Sequence, residues 1–104
     1  MEIRVNTDNH ITGSEEMIEK FTDGLKKKLS RFSEYITSVD VFFADENKGK
    51  SGTDDKRCTI ETRLKNMNSE AVTHNADTLN YAFSGAVDKV KSLLDSRIGK
   101  LLNK

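Results

Sequence analysis

A chain of 104 residues, 35% hydrophobic and 33% charged, is long enough for one domain that buries roughly two-thirds of the surface its unfolded form exposes. Its 17 basic and 17 acidic side chains cancel, so no global positive charge announces nucleic acid or an anionic membrane, and any such signal must be local. The single cysteine excludes an internal disulfide, no apolar leader follows Met1, and no run approaches the ~18 apolar residues of a membrane span, so a cytoplasmic protein with no membrane partner is expected.

Residues 2–6 alternate, with Ile3 and Val5 on one side and Glu2, Arg4 and Asn6 on the other, which predicts a half-buried strand. The period then changes. Met17, Ile18, Phe21, Leu25, Leu29 and Phe32 recur at three- and four-residue steps and predict a helix from about Ser14 to Phe32, with Thr12 and Glu15 at capping-box spacing ahead of it. Gly24 in its interior costs about 1 kcal/mol relative to alanine. A second strand is predicted over 38–44, Val39, Val41 and Phe43 facing one way and Asp40, Phe42 and Ala44 the other. The polar stretch 45–56 reads as a long, mobile hairpin connection.

Residues 57–65 alternate most cleanly, with Cys58, Ile60, Thr62 and Leu64 inward. Asn66-Met67-Asn68 supplies a turn, and 70–74 returns as a fourth, weaker strand. Asp77 is expected to cap a long final helix whose apolar stripe (Leu79, Phe83, Ala86, Val87, Val90, Leu94, Ile98 and Leu101) runs over about six turns. The order β-α-β-β-β-α predicts an α+β fold: one domain over 1–104, its two helices packed on one face of a four-stranded antiparallel sheet.

The charges segregate along both helices. In the final helix Lys89, Arg97, Lys100 and Lys104 share one edge of the wheel while Asp88 and Asp95 fall toward the other, and residues 83–104 hold five basic and two acidic side chains. Lys20, Lys27 and Arg31 cluster likewise on the first helix, with Lys28 bordering its apolar face, five basic against one acidic over 20–31. Two readings stand. The outward edges form one basic surface or groove that accepts phosphates and reads shape more than sequence. Alternatively they are the solvated faces of ordinary surface helices, with lysine stems snorkelling over the helix–sheet seam.

Chemistry of other kinds finds little support. His10, His74 and Cys58 lack metal-ligand spacing, and Cys58 sits on the inward face as a structural residue. Lys48-Gly49-Lys50-Ser51-Gly52 lacks the spacing of a phosphate loop and the helix that would follow one. Glu15, Glu16 and Glu19 answer to the macrodipole of a first helical turn. No catalytic residue, metal, cofactor or small-molecule substrate is expected, so the chain does not read as an enzyme. Phe42, predicted outward, is either a platform for a stacked base or a packing element against a loop or a second copy.

The element order, the opening Glu2-Ile3-Arg4-Val5, the passage Lys28-Leu29-Ser30-Arg31-Phe32 leading to Val39-Asp40-Val41, and above all Ala82-Phe83-Ser84-Gly85-Ala86-Val87-Asp88-Lys89-Val90 resemble the ribosome hibernation-promoting factor and ribosome-associated inhibitor family, also called sigma-54 modulation proteins. The resemblance spans essentially the whole chain and is most specific in the final helix. It implies a β-α-β-β-β-α fold similar in outline to double-stranded RNA-binding domains. It also implies a site in the decoding channel of the small ribosomal subunit, where the protein blocks messenger and transfer RNA.

The family's ribosomal RNA contacts, basic residues of both helices, correspond to Lys27, Lys28, Arg31, Lys89, Arg97 and Lys100 here. Partners implied are the small subunit and the whole ribosome. Longer relatives carry a C-terminal domain that pairs ribosomes, so a chain ending at Lys104 is expected to act on single ribosomes or to need another factor for pairing. The chain departs from the family pattern at Asp77-Thr78-Leu79-Asn80-Tyr81, where the tyrosine is displaced, and at Ser92, Asp95 and Ser96, in a stretch usually richer in Arg and Lys. The alternatives from the residues themselves are a general double-stranded RNA-binding module and a protein-interaction module, the latter with weak self-association through the open sheet face around Phe42.

Overall fold

The computed structural model describes residues 1–8, 14–45 and 55–102, the side chains of residues 100–102 excepted. His10, Thr12, the 46–54 part of the expected loop with its Lys48–Gly52 stretch, the side chains of Lys100 and Leu101, and Lys104 lie outside the described residues. The order is β1 (Glu2–Thr7), α1 (Glu15–Leu29), a 3-10 helix (Ser30–Tyr35), β2 (Ile36–Asp45), β3 (Lys56–Leu64), β4 (Glu70–Ala76) and α2 (Leu79–Leu102). This is the expected β-α-β-β-β-α, α+β architecture, with strands in the order β1-β2-β3-β4 and both helices on one face.

Each helix begins at a hydroxyl. Ser14 accepts from the Met17 amide at 3.1 Å through Oγ, which satisfies one of the amides a helix start leaves without partners, and its carbonyl takes the first helical bond, from the Ile18 amide at 3.0 Å. Thr78 does the same for α2, taking the Tyr81 amide at 3.1 Å and the Ala82 amide at 2.9 Å. The cap is therefore Thr78 and not the expected Asp77, one residue earlier. Helix α1 also stops before the expected Phe32: the Ser30 hydroxyl donates to the Lys27 carbonyl at 3.1 Å, and a 3-10 helix carries Phe32 into the core at 1% exposure. A three-residue step from Leu29 to Phe32 suits either helix type, so periodicity does not separate them.

The sheet is mixed, where an antiparallel one was expected. Strand β1 runs parallel to β2, with Ile3 opposite Val39 and Val5 opposite Val41, while β2–β3 and β3–β4 are antiparallel. The cause is connectivity: α1 and the 3-10 helix carry the chain back to the end where β1 began, and a strand that starts there pairs in parallel. Strand β2 also starts earlier than the alternation indicates. A register shift between Ile36 and Ser38 leaves Thr37 as an extra residue, so Ile36 and Val39 both face inward although three positions apart.

The inward residues of the sheet (Val39, Val41, Phe43, Cys58, Ile60 and Leu64) meet Phe21, Leu25 and Leu29 of α1 and Ala82, Ala86, Val90, Leu94 and Ile98 of α2 in one core. Ala44, expected on the other side with Phe42, is 5% exposed. Phe21 sits at 4.8 Å from Phe43 and 4.6 Å from Phe83, ring centre to ring centre, so three aromatics tie α1, β2 and α2 together. The one buried hydroxyl among the described residues, Thr62, is satisfied by donating to the Glu70 carbonyl at 3.3 Å.

Candidate nucleic-acid interface

Helix α1 lies over β1 and α2 over β3 and β4. The two run in the same direction: Ser14, Lys20, Leu79 and Asn80 line one cavity of about 370 Å³ where both helices begin, and Arg31 meets Asp95 farther along. This arrangement decides which helix edges face each other. Lys28 borders a second cavity with Gly24, Phe83, Ser84 and Asp88, and Arg31 Nη1 donates to Asp95 Oδ1 at 2.6 Å while its guanidinium carbon lies 5.3 Å from the Phe32 ring centre. The basic edge of α1 thus faces the edge of α2 that carries Asp88 and Asp95.

The basic edge of α2 is on its other side, over β4. There the Lys89 ammonium donates to the Thr73 carbonyl at 2.8 Å, and Arg97 Nη2 pairs with Glu70 Oε1 at 2.5 Å. The single groove expected from the two helix wheels is thus replaced by two surfaces: Lys20, Lys28 and Arg31 along the α1–α2 seam, with exposed Lys27 on the same helix, and Lys89 and Arg97 along β4. All six are exposed. None of Lys20, Lys27 and Lys28 forms an ion pair with another described residue, whereas Arg31 and Arg97 each hold a carboxylate. Sequence reasoning missed those two acids as partners, because Arg31 and Asp95 are 64 positions apart and only the packing of α1 beside α2 joins them.

The opposite face of the sheet is covered by no described helix, and its charges balance. Arg4 grips Asp40 through two bonds of 2.8 and 3.2 Å and lies 3.5 Å from Glu2; Arg63 lies 3.6 Å from Glu61. The bond to Asp40 raises the Arg4 pKa above its ordinary value. Phe42 stands in this face at 41% exposure, between Asn6 and Thr59 in the pairing register. Such a face offers little unbalanced charge to phosphate.

The other chemistry-bearing side chains are structural in their surroundings. Cys58 is fully buried, and burial pushes its thiol up to about 12, so it remains protonated near neutrality. His74 lies against Gly85 of α2. Among the described residues no group of three metal-type ligands occurs, and no helix is long and apolar enough to cross a membrane.

Comparison with known proteins agrees with this architecture. Solved structures that resemble it include the N-terminal domain of Protein Y from Thermus thermophilus, 20% identical, with a TM-score of 0.65 over 92% of this chain and 98% of that one. A ribosomal subunit interface protein from Coxiella burnetii is 14% identical, with a TM-score of 0.71 over 95% of this chain and 99% of that one. At these identities the likeness is one of fold. No curated protein matches in sequence. The family described as sigma 54 modulation protein / S30EA ribosomal protein matches residues 3–101, and the chain belongs to that family, the hibernation-promoting factor family of ribosome-associated proteins.

Proposed function

We propose that this protein is a ribosome hibernation factor that occupies the decoding channel of the small subunit and there excludes messenger and transfer RNA. The observation that carries the reading is the family match over nearly the whole chain, residues 3–101. The chemistry supports it: a chain of zero net charge places Lys20, Lys27, Lys28, Arg31, Lys89 and Arg97 in water on the helical side, where cations can meet RNA phosphates without base readout. Lys100 and Lys104 extend the α2 edge in sequence. The partners are ribosomal RNA of the small subunit and of the whole ribosome, in the cytoplasm, with no catalytic step and no cofactor in the mechanism.

Blocking by this protein needs only occupancy. A surface built from exposed ammonium and guanidinium groups binds by releasing counterions, so its affinity falls steeply with salt and dissociation on a change of conditions is easy. The test is sedimentation of purified protein with ribosomes and separated subunits through sucrose gradients at low and moderate salt. Co-migration with the small subunit and the whole ribosome, weakening as salt rises and competing with messenger RNA, is the expected result. Protein that stays at the top under every condition overturns the reading. One observation favours a second reading, a protein-interaction module: exposed Phe42 on a sheet face whose charges are mutually paired. Salt-insensitive self-association of the purified protein is its signature.

A further inference from the structure

Two carboxylates sit inside the cationic surfaces. Asp95 accepts from Arg31 at 2.6 Å and Glu70 pairs with Arg97 at 2.5 Å, and both arginine side chains are still 52% exposed. The acids chose arginines in both cases and left the lysines of α1 alone. A guanidinium binds carboxylate and phosphate through the same planar array of donors, so each arginine is already held as a phosphate would hold it, with an acid in the phosphate's place. Glu70 is fixed there by its strand, its side chain only 17% exposed, and its own carbonyl takes the Thr62 hydroxyl.

Resting on the ribosomal RNA reading above, we propose that Glu70 and Asp95 are specificity-determining residues of the interface. They make each arginine contact conditional on a phosphate that displaces a carboxylate. A displaced carboxylate stays close and repels the incoming phosphate, so a generic polyanion touching one helix edge gains little from the exchange. A folded RNA surface that draws its affinity mainly from the α1 lysines depends little on the two arginines and loses little to the exchange. Selectivity then arises because the penalty falls on ligands that rely on the arginines, in a protein whose zero net charge already keeps polyanions from accumulating around it.

The experiment measures binding of Asp95→Asn and Glu70→Gln, singly and together, to purified ribosomes and to a duplex RNA of unrelated sequence at one fixed salt. Both substitutions keep the shape of the side chain and remove its charge. The double variant is expected to gain about threefold to tenfold in affinity for the duplex and clearly less for ribosomes, so that the ratio between them narrows. A control pair, Glu2→Gln with Glu61→Gln, removes two charges from the open sheet face and should leave that ratio unchanged. Unaltered duplex binding in the double variant, equal gains for both ligands, or the same narrowing in the control overturns the role assigned to Glu70 and Asp95. Those failures leave ribosome binding by the wild-type chain intact, whereas wild-type protein that does not bind ribosomes overturns both readings together.

Discussion

At Gly85 α2 comes close to β4, because a Cβ there would fall among the His74 ring atoms Cγ, Cδ2 and Nε2. Glycine is required by this approach and not by any special backbone angle. Gly85→Ala is therefore expected to destabilise the fold by about 1–3 kcal/mol, the range for overpacking a filled contact, and the same substitution in a His74→Ala background should cost far less. Denaturant unfolding of the four proteins of that cycle measures the coupling; equal costs in both backgrounds would place the strain elsewhere. This contact was not legible in the sequence, where His74 stood in a weak strand and Gly85 within the final helix beside its apolar stripe. Cys58 was legible, since the alternation of its strand set it inward beside Ile60 and Thr62, and all three are fully buried.

At the scale of elements, the root of the β2–β3 connection is closed by charge. Lys56 lies 2.8 Å from Asp55 and 3.4 Å from Asp45, the residue it faces across the pair, and the Asp45 amide donates to Asp8 at 3.0 Å. The hydrogen bond from Lys56 holds the Asp55 pKa below 3.8, and the same bond holds the Lys56 pKa above 10.5. An acid with a depressed pKa stabilises the fold above its ordinary pKa and loses that contribution as pH falls through the folded value. A base with a raised pKa stabilises below its ordinary value and loses it as pH rises through the folded one. The clamp is thus constant across the neutral range. Asp55→Asn is expected to lower the thermal midpoint at pH 7, with the difference from wild type closing as pH falls below 3.8; a difference that persists in acid would mean the effect is not ionic. The residues framing this clamp were read only as the ends of a polar loop. Strand positions were legible because alternation is local. The parallel pairing of β1 and the extra residue at Thr37 were not, since the first depends on where a helix returns the chain and the second on register against β3.

For the whole molecule, the helix wheels identified each basic edge but not which edges meet. A wheel fixes positions around one axis; the order β1-β2-β3-β4 and the common direction of the helices then turn the α1 edge toward Asp88 and Asp95 and leave the α2 edge over β4. The cations are consequently unequal. Lys27 and Lys28 make no ion pair with described residues, while Lys89 donates to a backbone carbonyl and Arg97 to Glu70. A phosphate meeting Lys27 or Lys28 displaces only water and counterions, whereas one meeting Lys89 or Arg97 competes with bonds already formed. Neutralising Lys27 and Lys28 to glutamine is therefore expected to weaken ribosome binding about tenfold and to flatten the salt dependence by about one unit of log–log slope for each cation removed, with a loss of only about threefold for the same change at Lys89 and Arg97. Titration of ribosomes with each double variant across a range of salt separates the two edges. A larger loss from the α2 pair would show that bonds already made inside the protein do not tax the contacts it makes with RNA.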